Sequence, residues 1–274
     1  DVDSVTVTDI VKQYNSQTPH KRLQQILDLA VSHLHDFVRE ANLSMDEWMQ
    51  GISFLTRVGK MCSDIRQEFI LLSDVLGVSV LVDSLNNIKP KGATPSTILG
   101  PFHTEDAPIL NKGDNMVSLE KLAEGTPMLV RGFVRDLQGN GIPNAELETW
   151  ETDASGHYDT QYSDRSDADC RGIFHTEQNG AYEFRCIVPV SYPIPSDGPV
   201  GDLLGHLQRH VFRPAHLHMK IQANGFPTLV TALYPRDDKF LQSDAVLGVK
   251  SALVCVSSLA GKRSSEKRRS FTKR

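Results

Sequence analysis

The stretch TPMLVRGFVRDLQGNGIPNAELETWETD, from Thr126 to Asp153, decides the fold class. Its two flanks have a period of two, and the centre is punctuated by Gly139, Asn140, Gly141 and Pro143. A period of two sends alternate side chains to opposite faces of a strand, and turn residues between two such runs reverse the chain. AYEFRCIV (residues 181–188), HLHMKIQA (216–223) and TLVTALY (228–234) repeat the pattern, with TEQNG (176–180) as a further turn. Many short strands joined by turns predict a mostly β chain built as an antiparallel sandwich or barrel.

Upstream the period changes. From His20 to Asn42 the apolar residues Leu23, Ile26, Leu27, Ala30, Val31, Leu34 and Val38 recur at helical spacing and form one stripe. SMDE then supplies a capping box, Ser44 to Glu47, ahead of Trp48, Ile52, Leu55 and Val58. SDIRQEFILLSDVLGVSVLVDSLNN reads as further helix broken at Gly77, and KPKGATPS ends the helical part. The expected organisation is a helical domain over 1–95, a β-sandwich over 96–256 and a tail over 257–274. That tail carries seven Lys or Arg in its last fourteen residues, a composition that predicts a solvated, disordered segment.

Composition narrows the classes. A chain of 274 residues with a net charge of −5 has no general pull toward nucleic acid or anionic lipid. Cys62, Cys170, Cys186 and Cys255 are scattered with no Cys-x-x-Cys pair, which argues against a disulfide framework and a thiolate zinc site and favours reduced thiols in the cytoplasm. No apolar run has the length of a membrane helix and no signal-peptide core opens the chain. Small ligands are the expected partners.

The chemistry sits in RHVFRPAHLHMKI, Arg209 to Ile221. His216 and His218 flank one leucine at the head of a strand, so both imidazoles share a face while Leu217 takes the other. A bare His-x-His is more often a solvated polar face than a chelate, so the metal reading needs other donors. Tyr158, in SGHYDTQY, and Tyr192, in VPVSYPIPSDGPVG, lie on polar loops that a sandwich could aim at one spot. Phenolate is a hard, strongly donating ligand that, beside imidazole, suits Fe(III) better than zinc. The segment from Pro189 to Pro214, with five prolines and three glycines, reads as a long functional loop without an element of its own.

TILGPFH, VRDLQGNGIPNAELETWETDASGHYD, GAYEFRCIVPVSYPIPSDGPVGDLL, RHVFRPAHLHMKI and FLQSDAVLGVK, in that order, resemble the intradiol ring-cleaving dioxygenases, the catechol and hydroxyquinol 1,2-dioxygenases. EFILLSDVLGVSVLVD is similar to their N-terminal helical domain, so the likeness runs from about residue 10 to residue 255. The resemblance implies one non-haem Fe(III) per chain held by Tyr158, Tyr192, His216 and His218, with Tyr192 and His218 axial. It also implies that Arg213 stabilises anionic character on the ring carbon that O2 attacks and that Tyr192 takes a substrate proton. Leu71, Asp74, Ile98, Leu99, Gly100, Ile194 and Pro195 match the walls of the ring slot.

Asp74 is the informative wall residue, because a carboxylate in an aromatic slot costs free energy unless something polar pairs with it. A third ring hydroxyl could be that partner, which tilts the expected substrate toward hydroxyquinol (benzene-1,2,4-triol), cleaved with O2 to 3-hydroxy-cis,cis-muconate, the tautomer of maleylacetate. Ala232 stands where catechol enzymes carry a glutamine facing the substrate, a departure that weakens a plain catechol assignment. The tail is a second departure, since family members continue into a final apolar strand. The resemblance further implies a homodimer through the helical domain, with a lipid bound along that interface, and a role in aromatic catabolism. Three rival readings stand beside it: a catechol 1,2-dioxygenase, an Fe(II) His-x-His oxygenase using Asp159 or Asp197 as third ligand, and a decayed, non-catalytic β-sandwich binding module.

Overall fold

The computed structural model describes residues 1–63, 66–165, 167–259 and 269–272. Its contacts divide the chain into two units, Asp1–Arg57 and Val58–Arg274. The first holds α1 (Val7–Asn15), α2 (Lys21–Glu40) and most of α3 (Met45–Met61). The expected capping box opens α3: the Ser44 N–H donates to Glu47 Oε2 at 2.9 Å and the Glu47 N–H to Ser44 Oγ at 3.2 Å. Most of the α2 stripe is open, with Leu23, Ile26, Leu27 and Leu34 between 41 and 61% exposed.

The second unit begins with α4 (Glu68–Val75) and α5 (Val78–Asn86), separated as expected at Gly77, whose φ of +77° only glycine adopts cheaply. The division by contacts falls at Arg57 and not at the expected residue 95, and polar ties bind this stretch to the β part. Glu68 Oε1 accepts the Val200 N–H at 3.2 Å, Arg66 pairs with Asp197 at 2.9 Å, and Lys250 pairs with Asp83 at 2.9 Å.

After α6 (Leu119–Glu124) come β1 (Pro127–Phe133), β2 (Glu146–Trp150), β3 (Arg171–His175), β4 (Ala181–Ile187) and the two-residue β5 (Tyr192–Pro193). Then follow α7 (Pro199–His206), the two-residue β6 (Phe212–Arg213), β7 (Leu217–Gln222), β8 (Leu229–Pro235), β9 (Val254–Leu259) and β10 (Arg269–Thr272). The large sheet runs β3-β2-β7-β8-β9-β10-β1-β4, and β5 pairs with β6 in a separate two-stranded sheet. Its first four strands are antiparallel neighbours, whereas β8 meets β9, and β1 meets β10, in parallel.

The two halves of the sheet share one core. Leu147, Phe174, Leu217, Met219 and Leu233 from β2, β3, β7 and β8 pack with Met128, Val130, Phe184 and Cys186 from β1 and β4. The Phe174 and Phe184 rings stack at 4.7 Å. This is the expected mostly β sandwich, with the alternating pattern of 126–153 realised in β1 and β2. No disulfide joins the cysteines among the described residues.

Two expectations are corrected. The Pro189–Pro214 loop contains α7, because Pro199 sits in the first turn, where its missing N–H and fixed φ cost nothing. The tail is not wholly disordered: β9 extends through Leu259, and β10 lies between β9 and β1, aligning Met128 with Arg269 and Val130 with Phe271. An unpaired strand edge offers its N–H and C=O groups to any chain that can lie beside it, and charge composition does not register that demand. The rest of the tail, 260–268 and 273–274, lies outside the described residues.

Candidate metal centre

Strand alternation divides β2, β3, β7 and β8 into a core face and a site face. On the site face one row of paired positions runs Arg171, Trp150, His218, Ala232 across the four strands. Arg171, Trp150 and His218 are no more than 2% exposed, and Ala232 is fully buried. Leu217, one residue from His218, belongs to the core on the opposite face.

His216 and His218 point the same way, as their spacing predicts. Their Nε2 atoms stand 3.0 Å apart, with ring planes 81° from parallel. His216 Nδ1 donates to the Pro214 carbonyl at 2.7 Å, which fixes the tautomer and leaves a lone pair on Nε2. Burial, followed by the Arg213 charge for His216 and the His216 charge for His218, pushes both imidazoles well below the usual histidine range. Both rings are therefore neutral, as metal ligation requires.

Tyr192 reaches the site because the Pro-rich loop folds back on itself. The β5/β6 ladder pairs Tyr192 with Arg213, and Arg213 Nη1 lies 3.3 Å from Tyr192 Oη and 3.2 Å from His216 Nε2. Tyr158 reaches it from the loop after β2, where its N–H donates to Gln161 Oε1 at 2.8 Å and opens a short 3-10 turn, Asp159–Gln161. Tyr158 Oη lies 3.3 Å from Tyr192 Oη and 3.5 Å from His216 Nε2. Its phenol is pushed well above the usual range by burial first and then by Tyr192. Gly156 makes the approach of the two tyrosine loops possible: φ is +84°, and a β-carbon there would stand 3.0 Å from Tyr192 Cβ.

These four donors fit one ion. Donors bonded to a single metal at about 2.1 Å stand roughly 3.0–3.4 Å apart when their bond angles lie between about 90° and 110°. The observed donor separations of 3.0 and 3.3 Å fall within that spacing, and the third, 3.5 Å, lies just beyond it. Two phenols with two neutral imidazoles suit a hard trivalent ion. Among the described residues no group of three or more His, Cys, Asp or Glu is placed to hold a metal ion, so a metal bound at the two histidines would draw on the tyrosines. The carboxylates of the Fe(II) alternative are committed elsewhere: Asp159 to Arg171 and Arg165, and Asp197 to Arg66.

Arg213 is inward and 3% exposed, held by Asp244 through Nε to Oδ1 at 3.2 Å and Nη2 to Oδ2 at 3.4 Å. Asp74 is 4% exposed, and burial raises its pKa against a hydrogen bond from Ser79 and the field of Arg213. Gly100, with φ of +79°, lies beside His218, where a β-carbon would meet Cε1 at 3.7 Å. Leu71, Ile98 and Ile194 are buried, Pro195 is half-buried, and Leu99 is 39% exposed.

Sequence reasoning missed several supporting groups. Trp150 stacks on His218 at 4.7 Å, and Phe102 stacks on Tyr158 at 4.5 Å. Arg171 ties those elements together, donating to the Phe102 carbonyl while it pairs with Asp159. Phe102, Trp150 and Asp244 all fall inside quoted motifs, but nothing local marks their partners.

The chain is similar in sequence and fold to known proteins. Residues 98–271 match the family described as Dioxygenase, and residues 20–94 match that described as Catechol dioxygenase N terminus. The chain is 50% identical over 248 residues to the intradiol ring-cleavage dioxygenase hqdA of Aspergillus niger, covering 90% of this chain and 74% of that one. It is 46% identical over 234 residues to the hydroxyquinol 1,2-dioxygenase of a Rhizobium species, covering 85% and 78%. The solved hydroxyquinol 1,2-dioxygenase of Pseudomonas putida DLL-E4 superposes with a TM-score of 0.91 at 41% identity, covering 98% of this chain and 96% of that one.

Proposed function

The chain belongs to the intradiol ring-cleaving dioxygenases, and from that premise we propose that it cleaves hydroxyquinol between its vicinal hydroxylated carbons with O2, giving 3-hydroxy-cis,cis-muconate, the tautomer of maleylacetate. The observation that carries the proposal is the convergence of two phenol oxygens and two imidazole nitrogens on one buried point. Tyr158, Tyr192, His216 and His218 would hold one Fe(III) per chain, a Lewis acid that lowers the pKa of ring hydroxyls and draws electron density from the ring.

The protein's own groups supply the rest. Tyr192, paired across the ladder with Arg213, would take a substrate proton on its phenolate oxygen, with the guanidinium 3.3 Å from that oxygen. The same buried cation is suited to stabilise negative charge developing on the ring carbon. Trp150 and Phe102 wall the donors with aromatic surface and keep water off them.

Asp74 and Ala232 favour the triol over catechol. Asp74 offers a buried carboxylate beside the Arg213 field, and Ala232, across from His218, puts a methyl group where catechol enzymes have an amide. Leu71, Ile98, Gly100, Ile194 and Pro195 would line the ring slot, with Leu99 at its rim. The open apolar stripe on α2 supports a homodimer formed through the helical segment, with a bound lipid along it. No helix among the described residues is long and apolar enough to cross a membrane, and a cytoplasmic location completes the proposal.

The test is anaerobic addition of hydroxyquinol and of catechol to the iron-loaded protein while the tyrosinate-to-iron band is followed. Hydroxyquinol should shift the band at lower concentration, and admitting O2 should yield the muconate. A purified protein that takes up no stoichiometric iron would overturn the proposal and favour the non-catalytic binding module. Tyr192→Phe should keep iron and move the band, whereas His216→Ala and His218→Ala should each lose the metal.

A further inference from the structure

We propose that Asp238 is a positioning residue that fixes Tyr192 and His216 relative to one another and so sets the spacing of the metal donors. Resting on the ligand set proposed above, it assigns a role to a carboxylate that itself touches none of the four donors. Asp238 lies in the turn after β8. Its Oδ2 accepts two hydrogen bonds, one from Ser191 Oγ and one from the Ala215 N–H at 2.8 Å. Ser191 immediately precedes Tyr192, and Ala215 immediately precedes His216. One oxygen atom therefore ties together the backbone steps that deliver two donors from separate segments. Its partner Oδ1 accepts the Phe240 N–H at 2.8 Å, which anchors the carboxylate to its own turn.

The tie acts where the β5/β6 ladder stops. That ladder aligns Tyr192 with Arg213 and Pro193 with Phe212. His216 comes three residues after Arg213, beyond Pro214, and precedes the first residue of β7. The backbone at Ala215 thus belongs to neither ladder, and the Asp238 bond is what couples it to the Tyr192 segment. Hydrogen bonds to an ionised carboxylate are shorter and stronger than neutral ones, so this coupling resists the displacements that spoil a metal site. Partners that orient ligands typically change metal affinity about 10–100-fold when removed.

Two full-length variants separate the arms. Asp238→Ala removes both, and Ser191→Ala removes only the one to Tyr192. Fe(III) affinity is measured by chelator competition, the tyrosinate band by visible absorption, and the urea midpoint on the metal-free proteins. Asp238→Ala should weaken Fe(III) binding about 10–100-fold and Ser191→Ala less, with the band moved in both and the metal-free midpoints near the parent's. Parental affinity and band in both variants, or a loss of affinity matched by a loss of metal-free stability, would overturn the proposal. If Asp238→Ala does not fold, the band of Ser191→Ala decides: a shift supports the tie and an unchanged band ends it. A parent that binds no iron removes the ligand assignment and this inference together, whereas an iron-binding parent with indistinguishable variants removes this inference alone.

Discussion

Trp150 lies flat against His218, their rings 4.7 Å apart and 6° from parallel, on directly paired positions of β2 and β7. The two imidazoles of the site are thus oriented by different means. His216 is held by its hydrogen bond to the Pro214 carbonyl, while His218 Nδ1 has no hydrogen-bond partner among the described residues and depends on the indole face. Trp150→Ala should cost about 3–5 kcal/mol of stability and speed iron loss, while Trp150→Phe keeps an aromatic face and most of both. Urea unfolding of the metal-free proteins and the rate of iron transfer to a chelator check this. Parental iron retention in the alanine variant would show that the stack does not orient the ligand.

Asp244→Ala should be among the most damaging single changes. Arg213 is 3% exposed, and Asp244 is the carboxylate that neutralises it through Nε and Nη2. A buried charge deprived of its partner costs about 3–5 kcal/mol. Asp244→Asn, which keeps hydrogen-bonding capacity and shape, should unfold closer to the parent and yet show lower kcat/KM. Equal kcat/KM in the asparagine variant would mean that the ion pair serves stability alone.

At Asp74 the expected outcome is a change of preference. If the carboxylate accepts a hydrogen bond from a third ring hydroxyl, Asp74→Ala should lower kcat/KM for hydroxyquinol and leave catechol nearly unchanged, shifting the ratio about ten- to a hundredfold. The structure also gives this carboxylate a partner within its own helical segment, Ser79. Equal losses on both substrates, with iron content matched, would assign Asp74 to that local bond.

Glu151 makes stability depend on pH. It is 1% exposed, and burial raises its pKa well above the ordinary 4.5, opposed by the Ile187 N–H and the Cys186 thiol. The unfolded chain releases this proton near 4.5, while the folded chain keeps it to higher pH. Folded protein thus binds more protons above that value, and the Glu151 contribution to stability falls as pH rises through the window. Glu151→Gln should therefore unfold at higher urea than the parent at about pH 7 and at nearly the same urea at about pH 4. A benefit of equal size at both pH values would show that the carboxyl does not titrate between the two states.

How far the sequence could be read depended on the distance over which each signal acts. Strand alternation, the Ser44 capping box and the break at Gly77 are local, and they appear where expected. The His-x-His geometry is local too. Pro199 misleads because a breaker inside a helix is an initiator at its first turn, so α7 is hidden in a proline-rich loop. Asp244 and Asp238 carry no local mark: one pairs 31 positions back with Arg213, the other 23 and 47 positions back with Ala215 and Ser191. The strand at Arg269–Thr272 is set by a neighbour, β1, that composition cannot see.

The single peptide step between Leu217 and His218 has a consequence for assembly. A slip of β7 by one residue against β2 or β8 would drive the imidazole into the apolar interior and turn the leucine toward Tyr158 and Tyr192. Such a chain would lose its core and its chelate together. If the proposed ligands hold iron, its uptake would report strand alignment: a molecule that acquired colour would already have paired its central strands correctly, and one that had mispaired them would stay colourless.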